Sequence, residues 1–159
     1  MNIKPDIKLK SLALGSVVAA LYAVLTITLA PISYGPVQFR VSEALTLLPF
    51  YFPEAIPGLF VGCFIANFFG GNGMLDVFVG SFATLAAAYL SRKMPRLWLA
   101  TLPPILVNMA AIGTLLHYLL GVPLWSTVFY VGIGQMGACV LLGYPLMKAL
   151  ENRGIFKRR

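Results

Sequence analysis

Arg40, Glu43 and Asp76 interrupt sequence that is otherwise apolar. Beside them stand the amides Gln38, Asn67, Asn72, Asn108 and Gln135 and the rings Phe39, Tyr118 and Trp125. Carboxylates accept two parallel hydrogen bonds, amides both donate and accept, and flat rings stack. These are the groups that a polar planar heterocycle needs, although a sugar or an amino acid would use similar ones. Glu43 follows Ser42, a favourable N-cap residue, so its carboxylate belongs in the first turn of a helix, where the dipole favours an anion. Asp76 is placed in the same way after "GGNG". An Arg40 to Glu43 ion pair at i,i+3 is the structural alternative to a binding role.

The elements that must position these groups are membrane helices. Of 159 residues, 59% are hydrophobic and 11% charged, and the mean hydropathy is +0.85, too apolar for a water-compatible surface around a soluble core. The expected fold is an all-α integral membrane protein, a single multi-pass membrane domain over 1–159 in the cell membrane. Hydropathy predicts spans near 11–31, 75–91, 97–120 and 124–149. Between the first two lies a region, 43–69, in which Pro49, Pro53 and Pro57 permit one kinked helix or two helices turning at "FPEAIP". The first apolar run exceeds a signal-peptide core of about 7 to 15 residues and lacks an A-x-A site, so it is read as a retained span.

Charge decides between the two readings of the broken region. Basic residues cluster at Lys4, Lys8 and Lys10, at Arg92, Lys93 and Arg96, and at Lys148, Arg153, Lys157, Arg158 and Arg159. The positive-inside rule puts all three clusters in the cytoplasm only if 43–69 crosses twice. Six transmembrane helices with cytoplasmic N and C termini follow. The same clusters account for the net charge of +7, so no nucleic-acid partner is expected. A second helix over 44–52 would reach only about 14 Å at ~1.5 Å per residue. So short a helix is tolerated at membrane depth where others shield it or where it lines a site. Arg40, Glu43 and Asp76 then gather at the outer helix ends with one net negative charge.

Other motifs are weaker. "GIGQMG", residues 132–137, fits G-x-G-x-x-G but lies inside a hydrophobic span, so close helix packing is the better reading. No Walker A motif is present, and the chain cannot itself use ATP through a P-loop. His117 has no i+4 partner, and Cys63 and Cys139 lie mid-span without a C-x-x-C, so no metal site, disulfide or cofactor is expected. Small residues recur at Gly15, Ala19 and Ala23 and at Gly58, Gly62 and Ala66; such stripes serve internal packing or the docking of a membrane partner.

The blocks "QFRVSEALTLLP" and "AIPGLFVGCFIAN", within a stretch from Gly35 to Lys93, resemble the QueT family of queuosine-precursor carriers. These are substrate-binding S components of energy-coupling factor (ECF) transporters. The resemblance implies an S-component-like bundle of six helices, an external pocket under the first outer loop, and a first helix with an A-x-x-x-A docking motif, met here by Ala19 and Ala23 with Gly15 before them. It implies partners: a transmembrane coupling subunit and two ATPase subunits. The small-molecule substrate would be a 7-deazaguanine base. On that reading Glu43 pairs with the guanine-like N–H edge, Asp76 balances an exocyclic ammonium, and Asn67 or Asn108 meets the lactam edge. Phe39, Tyr34 or Trp125 would stack, with Arg40, Gln38 and Gln135 nearby; the motif itself bears on Glu43, Arg40 and Asn67. The competing function is a self-standing carrier, coupled to protons through Glu43 or Asp76. A membrane enzyme is disfavoured, because no nucleophile or metal constellation is visible.

Overall fold

The computed structural model describes residues 7–35, 37–70 and 72–157. Lys4, Arg158 and Arg159 of the basic clusters lie outside them, and the side chain of Lys8 is likewise not described. The described residues form helices and no strands: α1 (Ile7–Thr28), a single turn α2 (Ala30–Ser33), a 3₁₀-helix (Val41–Phe50), α3 (Ala55–Gly70), α4 (Met74–Lys93), α5 (Leu102–Leu120), α6 (Leu124–Met136) and α7 (Tyr144–Asn152). A 3₁₀ turn at Leu99–Thr101 leads into α5, and a π-helical stretch, Gly137–Gly143, joins α6 to α7 without a break.

Four helical runs are long and apolar enough to cross a membrane: Leu9–Thr28, Met74–Lys93, Leu99–Leu120 and Leu124–Asn152. They coincide with the spans predicted from hydropathy. The proline-broken region is two short helices, not one kinked one, and the chain turns between them at residues 51–54.

The 3₁₀ form of the first short helix has a physical reason. Arg40, just before it, pairs with Asp76 at the start of α4, and the Phe50 carbonyl at its end accepts from Arg92 Nη1 (3.0 Å) at the end of α4. Sixteen α-helical residues separate Asp76 from Arg92, about 24 Å at ~1.5 Å each. Ten α-helical residues would cover about 15 Å, whereas a 3₁₀-helix covers about 20 Å. The segment is therefore drawn out against α4. Pro49, with no N–H to donate, weakens the α alternative further.

Contacts show how the helices run. α1 and α3 are parallel and very close: a methyl on Gly58 would strike the Gly15 carbonyl, and one on Gly62 would strike the Ala19 backbone. The 3₁₀-helix runs against both, because Ser42 and Glu43 meet Thr26 and Tyr22 in turn. α4 runs parallel to it, α5 returns, and α6 descends beside α5, with Gly113 against Val128 and Gly132 against Met109. Arg40 and Asp76 mark one end of the bundle. At the other end Phe50 meets Arg92, Ser91 donates to Ala100, and Phe156 packs on Tyr51 and Phe52. Between them lies a core built around Tyr22, Leu47, Tyr51, Leu59, Cys63 and Met147. Outward-facing Leu21, Val24, Phe68, Phe82, Phe129 and Leu141 present an apolar surface suited to lipid.

Candidate functional site

Glu43 lies in the first turn of the 3₁₀-helix, 1% exposed, with its carboxylate between two other helices. Tyr22 of α1 donates its hydroxyl to Oε1 at 2.5 Å, and Asn108 of α5 donates Nδ2 to Oε2 at 3.4 Å. One turn along α1, the Thr26 hydroxyl meets Ser42 Oγ at 2.6 Å and donates to the Tyr22 carbonyl at 2.8 Å. Sulfur and amide groups complete the surroundings: Cys139 Sγ lies 3.6 Å from the Glu43 carbonyl and 3.8 Å from Gln135 Oε1.

The second carboxylate, Asp76, is also buried, and Arg40 Nη2 stands 3.7 Å from its Oδ2. Arg40 further donates Nε to the Ser33 carbonyl (3.2 Å) and lies over the Tyr34 ring, 5.3 Å from its centroid. The Arg40 to Glu43 ion pair, the structural alternative to a binding role, is therefore not formed. That alternative treated residues 40–43 as one α-helical turn. Arg40 is instead extended (φ −91°, ψ 102°), which turns its side chain toward α4.

Two glycines make room for this arrangement. A methyl on Gly80 would strike the Asn67 amide, which uses that space to donate to the Asp76 carbonyl at 3.0 Å. A methyl on Gly70 would strike the Tyr34 ring, whose hydroxyl donates to the Ala66 carbonyl at 2.5 Å. Asn72 donates to Asp76 Oδ2 at 3.3 Å.

Gln38 is the single described non-glycine residue with positive φ, at 48°. This uncommon conformation leaves its side chain 2% exposed, with the preceding backbone lying along Gly134. Five buried polar atoms at this end of the bundle have no hydrogen-bond partner: Ser33 Oγ, Gln38 Nε2, Arg40 Nη2, Asn67 Oδ1 and Asp76 Oδ1. They include both donors and acceptors. Native proteins leave few buried polar groups unpaired, so a polar ligand would find groups to meet here; toward the other end, Tyr51 Oη and Glu54 Oε2 likewise lack a hydrogen-bond partner.

Not every residue named from sequence joins this cluster. Trp125 is 80% exposed and Tyr118 79% exposed, so neither ring is part of it. Phe39 rests on Gly137 and lines a lateral apolar groove of about 430 Å³ with Val37, Ile133 and Val140. Tyr22, Thr26 and Ser33 were not anticipated, and Ser42, expected as an N-cap, lies instead inside the 3₁₀-helix, where Arg40 holds the N-cap position and Ser42 Oγ meets Thr26. The available signal was their position, since Tyr22 and Thr26 share the helix face of the Gly15, Ala19, Ala23 stripe.

That stripe is mainly internal. Ala19 and Ala23 are buried, and Gly15 and Ala19 pack against Gly58 and Gly62 of α3. Gly15, Ala19 and Gly58 nevertheless also line a lateral groove of about 410 Å³ together with Leu12, Ser16, Ala20, Pro57, Val61 and Ile65. Ala23 does not line it. Among the described residues no group of His, Cys, Asp and Glu could hold a metal ion.

A family model described as QueT transporter matches residues 12–152, nearly the whole chain and all of the buried cluster. The chain belongs to the QueT transporter family. Among curated proteins it is 47% identical over 72 residues to the "Queuosine precursor transporter QueT" of Lactococcus lactis subsp. cremoris (strain MG1363). That match covers 44% of this chain and 42% of the relative, so it spans less than half the length of either. No solved structure matches the chain. Membership in a transporter family, with several apolar helices, makes this a multi-pass membrane protein.

Proposed function

We propose that the chain is the substrate-binding S component of an ECF-type importer and that it takes up a queuosine precursor, a 7-deazaguanine base. The observation that carries this reading is the set of five buried polar atoms without a hydrogen-bond partner at the end of the bundle that holds the Glu43 carboxylate, which still has acceptor capacity. A deazaguanine offers N–H donors on one edge and a carbonyl on another. Glu43 would take the N–H edge; Arg40 Nη2 and Gln38 Nε2 would donate to the carbonyl, and Asn67 Oδ1 would accept. Asp76 Oδ1 would receive an exocyclic ammonium where the base carries one.

On this reading all six apolar helices cross the membrane, with both termini and the Arg92 cluster cytoplasmic and the Arg40–Asp76 end external. The groove over Gly15, Ala19 and Gly58 would seat a helix of the transmembrane coupling subunit, which in turn engages two ATPase subunits. Native mass spectrometry of detergent-purified protein tests the ligand: a co-purified deazaguanine is expected, and a sugar, an amino acid or an unrelated vitamin would overturn the assignment. Uptake that persists without the ATPase subunits would replace the importer by a self-standing carrier.

A further inference from the structure

We infer that Tyr22 is a positioning residue for ligand recognition: its hydroxyl fixes the Glu43 carboxylate so that the acceptor sites left over face a ligand's paired N–H donors. The inference rests on Glu43 being the ligand's carboxylate partner.

An ionised carboxylate has about four lone-pair sites. Tyr22 occupies one on Oε1 and Asn108 one on Oε2, so each oxygen retains acceptor capacity. The two donors come from different helices, α1 and α5. With an anchor on each oxygen, rotation of the carboxylate about its last bond is stopped. The plane of the group is what two parallel N–H donors read, so fixing it converts a mobile charge into a specific reader.

Tyr22 is itself held in place. It is fully buried, its Cβ faces Gly62, where a methyl would strike it, and the Thr26 hydroxyl links its backbone carbonyl to Ser42, the neighbour of Glu43. A phenylalanine would fill the same volume. What the phenol adds is one donor aimed at one carboxylate oxygen.

The test compares two bases that differ by one donor: 7-deazaguanine and 7-deazahypoxanthine, which lacks the 2-amino group. Calorimetric titration of the full chain in detergent should show the wild type favouring 7-deazaguanine by at least about tenfold. In Tyr22→Phe the affinity for 7-deazaguanine should fall about tenfold while that for 7-deazahypoxanthine hardly changes, so the ratio collapses toward one. A purely structural role would weaken both bases alike and leave the ratio intact, which overturns the inference. Should Tyr22→Phe not fold, 3-fluorotyrosine at position 22, a stronger donor, should raise the ratio; an unchanged ratio there also overturns it. A wild type that binds both bases equally has the same consequence. A wild type that binds neither base overturns the functional reading and the inference together.

Discussion

At the scale of single residues, two buried carboxylates have different partners. Glu43 is met by neutral donors and Asp76 by a cation, so equivalent substitutions should behave differently. Glu43→Gln keeps the shape and retains an oxygen for Tyr22, but it replaces an acceptor by a donor where a guanine-like edge already brings donors. Affinity for 7-deazaguanine is expected to fall at least about 30-fold, roughly 2 kcal/mol, with the fold retained. Calorimetry showing undiminished affinity would return Glu43 to a structural role. Arg40→Gln instead leaves a buried Asp76 carboxylate without its cation, a loss of order 3–5 kcal/mol in buried pairs. Thermal unfolding in detergent should show a clear loss for Arg40→Gln and partial recovery when Asp76→Asn is added. Equal instability of the single and double variants would mean the ion pair contributes nothing. The sequence showed that Arg40, Glu43 and Asp76 share one end of the protein, because topology and charge require it. It did not show who pairs with whom, since that depends on the extended backbone at Arg40. Tyr22 was hidden because an aromatic in an apolar span reads as lipid-facing or core until its partner is known.

At the scale of elements, hydropathy was sufficient to find every long helix, and the basic clusters, more than the prolines, separated the two short ones. The winding of the first short helix was not legible. A 3₁₀ form is selected by the distance between its anchors on α4, a tertiary quantity, and not by local propensity. The α1–α3 pair illustrates the same limit. A stripe of small residues signals close approach without saying to what, and here Gly15 and Ala19 serve the interior as well as the floor of a lateral groove. The two uses can be separated. Gly58→Leu puts a side chain into the Gly15 backbone and should abolish recovery of monodisperse protein. Ala20→Leu adds bulk on an exposed wall of the groove, so folding and ligand affinity should be preserved while co-purification with the proposed coupling subunit is lost. Normal complex recovery in Ala20→Leu would move docking to another face.

At the scale of the whole molecule, alternation of helix direction and distribution of charge are independent observations that agree. Side-chain contacts put Phe50, Arg92, Ala100 and Phe156 at one end and Arg40, Asp76 and Ser33 at the other. The described basic residues Lys10, Lys93, Arg96, Lys148, Arg153 and Lys157 belong to the first end, whereas Arg40 is neutralised locally at the second. The proposed orientation follows from the positive-inside rule: with the first end outside, each of these side chains would have to be carried across the bilayer. Single cysteines at Asn72 and Val122 should therefore react with a membrane-impermeant maleimide added to intact cells, and cysteines at Met94 and Arg153 should react only after permeabilisation. The native thiols do not interfere, since Cys63 and Cys139 are both fully buried. Labelling of the Met94 position in intact cells would mean that the Phe50–Arg92 end faces outward, against the proposed orientation. The Arg40–Asp76 cluster would then lose its external access, and a site there could not load from outside the cell.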